Sequence, residues 1–174
     1  MQEGYEHGFT RQFVELLKEV FEQDASVRVI LSHENGEHVD QFEKASFSNR
    51  LETDLYISVN VYAADKPIMY IYTYQSASFD LPSDQNRLEL LPTTKVYVKN
   101  LEKTHHHTRF WQEADSLKTN ISVTGPIALP IKQLEGIIAP AFVIDMSAQK
   151  ITDLHTYIKP ISEIITKMAH EQNN

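Results

Sequence analysis

Three stretches near the end of the chain decide the fold: Ser122–Ile131 (SVTGPIALPI), Ile137–Ile144 (IIAPAFVI) and Leu154–Met168 (LHTYIKPISEIITKM). The first two are short apolar runs separated by a polar turn ending at Gly136, which is typical of consecutive strands. The third keeps its apolar residues on one helical stripe. Because the stripe does not change phase at Pro160, we predict one kinked helix there. The order strand, turn, strand, helix predicts the closing half of an α/β domain.

The N-terminal part predicts a helix and a hairpin. Apolar residues from Phe9 to Phe21 fall on one side of an amphipathic helix, for which Thr10 can serve as the N-cap. Val27–Leu31 is short and β-branched, and Asn35-Gly36 suits a type I′ turn. We therefore expect a hairpin that returns through Val39–Phe42.

A second hairpin is predicted from strict alternation in two neighbouring runs. Leu55–Tyr62 and Met69–Tyr74 each alternate aliphatic with polar or aromatic residues. One face of this hairpin is therefore aliphatic. The other carries five tyrosines, which are Tyr56, Tyr62, Tyr70, Tyr72 and Tyr74.

The middle of the chain has weaker patterns. Residues 76–91 break into a loop or short helix, Thr94–Val98 is a predicted strand, and Leu101–Thr119 is compatible with a helix. Together these elements predict one α/β (α+β) domain over residues 1–174. Its core is a mostly antiparallel sheet of about six strands, with the N- and C-terminal helices packed on one face.

Composition excludes several classes of protein. The chain has 174 residues and a net charge of -8 without a run of Lys or Arg, so we expect no nucleic-acid partner. It has no cysteine, which excludes disulfides, thiolate metal sites and cysteine nucleophiles. Neither a leader peptide nor a run long enough to span a membrane is recognisable. We expect a cytoplasmic protein with no membrane contact, and the lack of a complete catalytic motif predicts no enzymatic activity and no cofactor.

The closing elements resemble those of GAF-type sensory domains. Ala128-Leu129-Pro130-Ile131 is similar to the proline-ended strand of that family, and Leu134-Glu135-Gly136 to the turn that follows. The return strand and the final helix complete the likeness, which extends to PAS-like sheets. Pro140 departs from the pattern, because proline inside a strand indicates an edge or a bulge.

The resemblance implies a regulatory domain that binds a small molecule and signals to a separate partner through a helical homodimer interface. It places the ligand between the sheet and the residues that precede the closing strands. The residues expected there are Tyr56, Tyr70, Tyr72, Phe79, Phe110 and Trp111. The alternative is a protein interaction module without a ligand cavity, which docks a protein partner on the tyrosine-rich face.

Three consecutive histidines suggest a metal site. In an extended segment His105 and His107 would project to the same side, with Glu102, Glu113 or Asp115 as a third ligand. The other interpretation is a solvated polar loop. The spacing lacks the i, i+4 histidine pair of a zinc peptidase helix.

Overall fold

A computed structural model describes residues 3–23, 27–33, 37, 39–74, 103–112 and 121–172. Four helices and a four-stranded sheet are present in this part of the chain. In chain order they are α1 (Glu3–Glu22), α2 (Gln41–Arg50), β1 (Tyr56–Tyr62), β2 (Ile68–Tyr74), α3 (103–112), β3 (Ser122–Leu129), a 3-10 turn (Lys132–Leu134), β4 (Ala141–Ser147) and α4 (Ile151–Gln172).

The sheet is mixed, with the strand order β1-β4-β2-β3. β1 runs parallel to β4, β2 runs parallel to β3, and β2 and β4 are antiparallel. The prediction of about six mostly antiparallel strands is therefore wrong for the described residues. The prediction paired strands that are consecutive in the sequence. In the structure β4, which has the most apolar sequence of the four strands, lies between β1 and β2. A strand that is apolar on both faces belongs in the middle of a sheet.

The alternation of β1 and β2 gives the sheet two different faces, as predicted. On the first face, Val61, Ile71 and Ile144 are buried in the main core under α1 and α4. The N- and C-terminal helices therefore pack on one face, as the sequence predicts, and they contact each other. On the second face, α2 and the 3-10 turn cover a smaller apolar cluster around Ala45 and Val143.

The C-terminal helix α4 continues through Pro160 as one helix. Leu154 and Ile161 on its apolar stripe are fully buried. The return strand begins later than predicted, at Ala141, so Pro140 precedes β4 and does not interrupt it. No helix in the described part of the chain is long and apolar enough to cross a membrane.

The first predicted hairpin is wrong. Residues 27–33 pair with no strand among the described residues, and the chain enters α2 at Gln41, just after Val39 and Asp40. A capping box starts α2 where the second strand of the hairpin was predicted. The Asp40 carboxylate accepts a hydrogen bond from the Glu43 backbone N–H, and the Glu43 carboxylate accepts one from the Asp40 backbone N–H. Asn35-Gly36 lies outside the described residues.

Thr10 does not cap α1, because the helix already begins at Glu3. Its hydroxyl instead accepts a hydrogen bond from the backbone N–H of Val61 at 3.1 Å, so α1 is joined directly to β1. The predicted strand Thr94–Val98 and the loop before it lie outside the described residues.

Candidate functional site

A polar row crosses the second face of the sheet near one end. Asn60 on β1 lies opposite Asp145 on β4, and Asp145 lies opposite Tyr70 on β2. The Asn60 Nδ2 donates a hydrogen bond of 2.7 Å to the Asp145 Oδ1. Thr124 on β3 continues the row beyond Tyr70. The row therefore brings a carboxylate, an amide and two hydroxyl-bearing residues together from four strands.

Asp145 stands out within the most buried strand. All the other residues of β4 are buried, whereas Asp145 is half-buried. A carboxylate inside an apolar strand carries a large desolvation cost unless a hydrogen bond offsets it, and Asn60 supplies that bond. Because the rest of the strand is apolar or small and buried, Asp145 is a candidate functional residue.

Tyrosines surround the row. The rings of Tyr70 and Tyr72 are stacked, with centroids 6.3 Å apart and planes inclined by 19°. Burial, followed by the Asp145 carboxylate and Tyr70, raises the pKa of Tyr72. Burial, with Tyr70 next in importance, also raises the pKa of Tyr62. Both phenols therefore stay protonated at neutral pH and can donate hydrogen bonds.

These groups provide the elements of acid-base chemistry. The Asp145 carboxylate can accept a proton, and Asn60 holds it in place with one amide hydrogen. The second amide hydrogen of Asn60 and the phenol of Tyr70 are donors on either side of it. Such a set suits a reaction in which a water loses a proton while negative charge develops on an oxygen.

The residues predicted to bind a ligand lie on opposite faces of the sheet. Tyr56 and Tyr72 pack against the small apolar cluster on the second face. Phe110 and Trp111 on α3 are buried in the main core on the first face, where the Trp111 ring lies 5.7 Å from that of Phe142. The structure thus separates these two groups. Tyr70 belongs to the polar row, and Phe79 lies outside the described residues.

The residues predicted to bind a ligand line neither of two cavities in the described part of the chain. One, of about 20 Å³, lies beside Tyr74 and Leu134 and has room for one water. The other is an open groove of about 750 Å³ beside α2, between Phe47 and Val39.

The three histidines lie on α3 and not in an extended segment. Successive residues on a helix point about 100° apart, so His105 and His107 do not face the same side. His105 is exposed, whereas His107 is 2% exposed. Within the described ranges no group of three or more His, Asp or Glu residues could hold a metal ion. Glu102, Glu113 and Asp115 lie outside those ranges.

His107 is instead a buried neutral side chain. Its Nδ1 and the Nε1 of Trp111 are buried without a hydrogen-bond partner in the described residues. Burial is the largest of the effects that together lower the pKa of His107 from 6.5 to about 4, and His106, Lys103 and Arg109 contribute the rest. The imidazole is therefore uncharged at neutral pH.

Sequence reasoning missed Asn60 and Asp145. The available signal was the carboxylate within AFVIDMS, because an acidic residue in an otherwise apolar strand needs a partner. Its partner could not be identified, because the predicted hairpins did not place β1 beside β4.

Solved structures with a similar fold include several N-acetylmuramoyl-L-alanine amidases. The N-acetylmuramyl-L-alanine amidase Ami1 from Mycobacterium smegmatis superposes with a TM-score of 0.65 at 12% identity, covering 95% of this chain and 77% of that one. The catalytic domain of CwlV, an N-acetylmuramoyl-L-alanine amidase from Bacillus (Paenibacillus) polymyxa var. colistinus, gives 0.57 at 11% identity, covering 93% and 83%. The amidase from Clostridium difficile 630 gives 0.55 at 13% identity, covering 93% and 82%.

No protein-family model matches the chain, and no curated protein matches it in sequence. At these low identities the likeness establishes the fold, which is that of amidase catalytic domains and not that of GAF domains. The predicted GAF resemblance is therefore wrong. The sensory or signalling role that the resemblance implied is wrong with it. Two predictions made on other grounds are also wrong, namely docking through the tyrosine face and the absence of enzymatic activity. The patterns that suggested GAF were hydrophobic ones, which many α/β sheets share.

Proposed function

We propose that this chain is an amidase-type catalytic domain that acts on peptidoglycan, with its reacting groups on the polar row. The observation that carries the proposal is the hydrogen bond between Asn60 on β1 and Asp145 on β4, in a sheet with the amidase fold. The bond to be cleaved is the amide that joins N-acetylmuramic acid to L-alanine, which is the bond named for the similar structures.

Asp145 acts as the general base in this proposal. Its carboxylate accepts a proton from a water, which attacks the amide carbonyl. Asn60 orients the carboxylate through the 2.7 Å hydrogen bond. The proton held by Asp145 then passes to the leaving nitrogen of L-alanine as the carbon–nitrogen bond breaks.

The neighbouring donors stabilise the charge that develops on the carbonyl oxygen. Tyr70 lies directly opposite Asp145 on the adjacent strand, where facing side chains are about 5 Å apart at the Cβ atoms. Its phenol is suited to hydrogen-bond the oxyanion, and the raised pKa of Tyr72 keeps a second protonated phenol beside it.

The experiment measures newly formed L-alanine amino termini in purified peptidoglycan. We expect release by the wild-type chain and a loss of about 100-fold or more in Asp145→Asn, since general bases contribute about that much to rate. Glu163→Gln is the matched control, because it removes one carboxylate charge on the surface of α4, in an ion pair with Lys159. Equal rates in Asp145→Asn and the control, or no release by the wild-type chain, would contradict the proposal.

The proposal also replaces the cytoplasmic location with one that gives access to peptidoglycan. Fractionation of cells that produce the chain checks this point, with the chain expected to be associated with the cell wall. The homodimer stays a prediction, and light scattering at micromolar concentration checks it.

A further inference from the structure

The Asp145 carboxylate has no cationic partner among the described residues. Its Oδ1 accepts a hydrogen bond from the neutral amide of Asn60, and the described ion pairs lie on the helices α1 and α4. Its own strand offers no counter-charge, because Asp145 is the only charged residue of β4. A half-buried carboxylate with a neutral donor alone keeps a negative potential around it. This potential favours a positively charged ligand.

Three tyrosines lie around this carboxylate on the second face of the sheet. Tyr70 is directly opposite Asp145 on β2, and its ring stacks with that of Tyr72 at a centroid distance of 6.3 Å. Tyr62 lies two residues beyond Asn60 on β1 and therefore on the same face. After burial, the Asp145 carboxylate is among the causes that raise the pKa values of Tyr62 and Tyr72, which places its charge near both phenols. All three tyrosines are half-buried, so part of each side chain stays accessible.

Aromatic rings beside a carboxylate are suited to binding an ammonium group. The face of a neutral aromatic ring attracts a cation that lies within about 6 Å of its centre, and this attraction adds to that of the carboxylate. An anionic ligand would be repelled by Asp145. A neutral apolar ligand would remove water from the carboxylate without replacing its hydrogen bonds. The cluster therefore selects for a cation among these three classes of ligand.

The proposed reaction produces such a cation at this position. Cleavage of the carbon–nitrogen bond adds the hydroxyl of water to the carbonyl carbon and transfers the proton held by Asp145 to the leaving nitrogen. The α-amino group released has a pKa of about 8, so at neutral pH it takes up one more proton from solvent, while the acid formed at the carbonyl loses one. The nitrogen of L-alanine thus becomes an ammonium beside Asp145, which is again a carboxylate.

We propose that Asp145 forms, with Tyr62, Tyr70 and Tyr72, a binding site for the α-ammonium group of an L-alanyl peptide. The identity of this ammonium rests on the proposed function, whereas the selection of a cation rests on the carboxylate and the rings alone. A bound product pairs with the proposed general base and keeps it from accepting a proton from water. L-Alanyl peptides should therefore inhibit the reaction by competing with the substrate.

The test compares the binding of L-alaninamide with that of N-acetyl-L-alaninamide. The two compounds share their methyl side chain and carboxamide, but at about pH 6.5 the first carries an ammonium group and the second is neutral. Binding is followed by NMR at the side-chain amide of Asn60 and the ring protons of Tyr70. We expect saturable shifts with L-alaninamide and binding of the acetylated compound that is at least tenfold weaker.

Two pairs of variants separate the contribution of charge from that of the ring. Asp145→Asn should weaken the binding of L-alaninamide by about tenfold or more, whereas Glu163→Gln, which removes a carboxylate on α4, should leave it unchanged. Tyr70→Leu should weaken it by about fivefold, because the aromatic face is lost, whereas Tyr70→Phe keeps that face and should bind within about twofold of the wild-type chain. Should Asp145→Asn or Tyr70→Leu fail to fold, the comparison of the two compounds on the wild-type chain still decides the question.

Three results would overturn the inference: no saturable shift with L-alaninamide, equal binding of the acetylated compound, or unchanged binding by folded Tyr70→Leu. The binding assay and the amidase assay can fail separately. Release of amino termini without selective binding of L-alaninamide would overturn this site and leave the proposed function intact. Selective binding without release would support the site and contradict the proposed function.

Discussion

The Nδ2 of Asn60 lies 2.7 Å from the Oδ1 of Asp145, so one hydrogen bond joins the side chains of two neighbouring parallel strands. The pair is half-buried and begins a row that continues to Tyr70. A charge-assisted bond in this setting is stronger than one between neutral groups. The same contact therefore contributes to stability and orients the proposed general base.

Replacing Asn60 by aspartate should show how far the stability of the fold depends on the hydrogen bond between Asn60 and Asp145. In Asn60→Asp two carboxylates would face each other, which destabilises the fold at pH 7 and raises the pKa of the pair. A carboxyl group whose folded pKa is raised binds its proton more tightly in the fold, so the lost stability should return as the pH falls through that value. Urea unfolding at pH 7 and pH 5 checks this, with Asn60→Ser as the uncharged control. Equal deficits at both pH values would contradict the expectation.

Substitution of glycine by alanine should have opposite effects on stability at two positions. Gly125 has φ +124°, and an added Cβ would overlap the carbonyl oxygen of Ile71, so Gly125→Ala should destabilise the chain by more than about 1 kcal/mol. Gly8 lies within α1, and outside the backbone of that helix no described atom comes within 4 Å of an added Cβ, so Gly8→Ala should stabilise the chain by about 0.5–1 kcal/mol. Thermal unfolding of both variants provides the comparison, and a gain in Gly125→Ala would show that β3 lies differently.

Buried neutral His107 should make stability depend on pH. Its pKa is lowered to about 4 in the fold, so the unfolded chain takes up the proton first as the pH falls below 6.5. The stabilising contribution of the neutral form is complete above about pH 6.5 and declines toward pH 4, by at most about 1.4 kcal/mol for each pH unit.

His107→Leu should lose that part of the decline, whereas the exposed His105→Gln should retain it. Urea unfolding between pH 7 and pH 4.5 measures both. If His107→Leu follows the same pH profile as the wild-type chain, His107 is not buried as described.

Tyr157 should contribute to stability through its hydroxyl. This fully buried side chain donates a 2.7 Å hydrogen bond to the carbonyl of Ser147 at the end of β4. Tyr157→Phe leaves that carbonyl without its donor and should cost about 1–2 kcal/mol. Tyr74→Phe, on the half-buried second face, should change little. A similar loss in both variants, measured by chemical denaturation, would contradict this role.

Local structure was predictable from the sequence where a periodic pattern decided it. The alternation in β1 and β2 correctly predicted two strands with an aliphatic and a tyrosine-bearing face. The stripe along α4 correctly predicted one helix through Pro160. These patterns depend on which side of an element is buried, and that information is contained in each segment by itself.

Strand pairing was not predictable in the same way. β4 inserts between β1 and β2 although more than sixty residues separate it from either, and neither alternation nor turn chemistry encodes such a partner. Asn60 and Asp145 are brought together only by that insertion. The candidate site could therefore not be assembled from local patterns. The metal hypothesis for His105 and His107 required an extended segment, whereas residues 103–112 form the helix with which the sequence was also compatible.

The most direct measurement is the rate at which Asp145→Asn releases L-alanine amino termini from peptidoglycan, relative to the wild-type chain at equal folded concentration. The substitution keeps the shape of the side chain and a hydrogen-bonding partner for Asn60 while removing the base. We predict release by the wild-type chain and a rate lower by about 100-fold or more in the variant. Unchanged release in the variant would contradict the assignment of Asp145, and no release by the folded wild-type chain would contradict the amidase function itself.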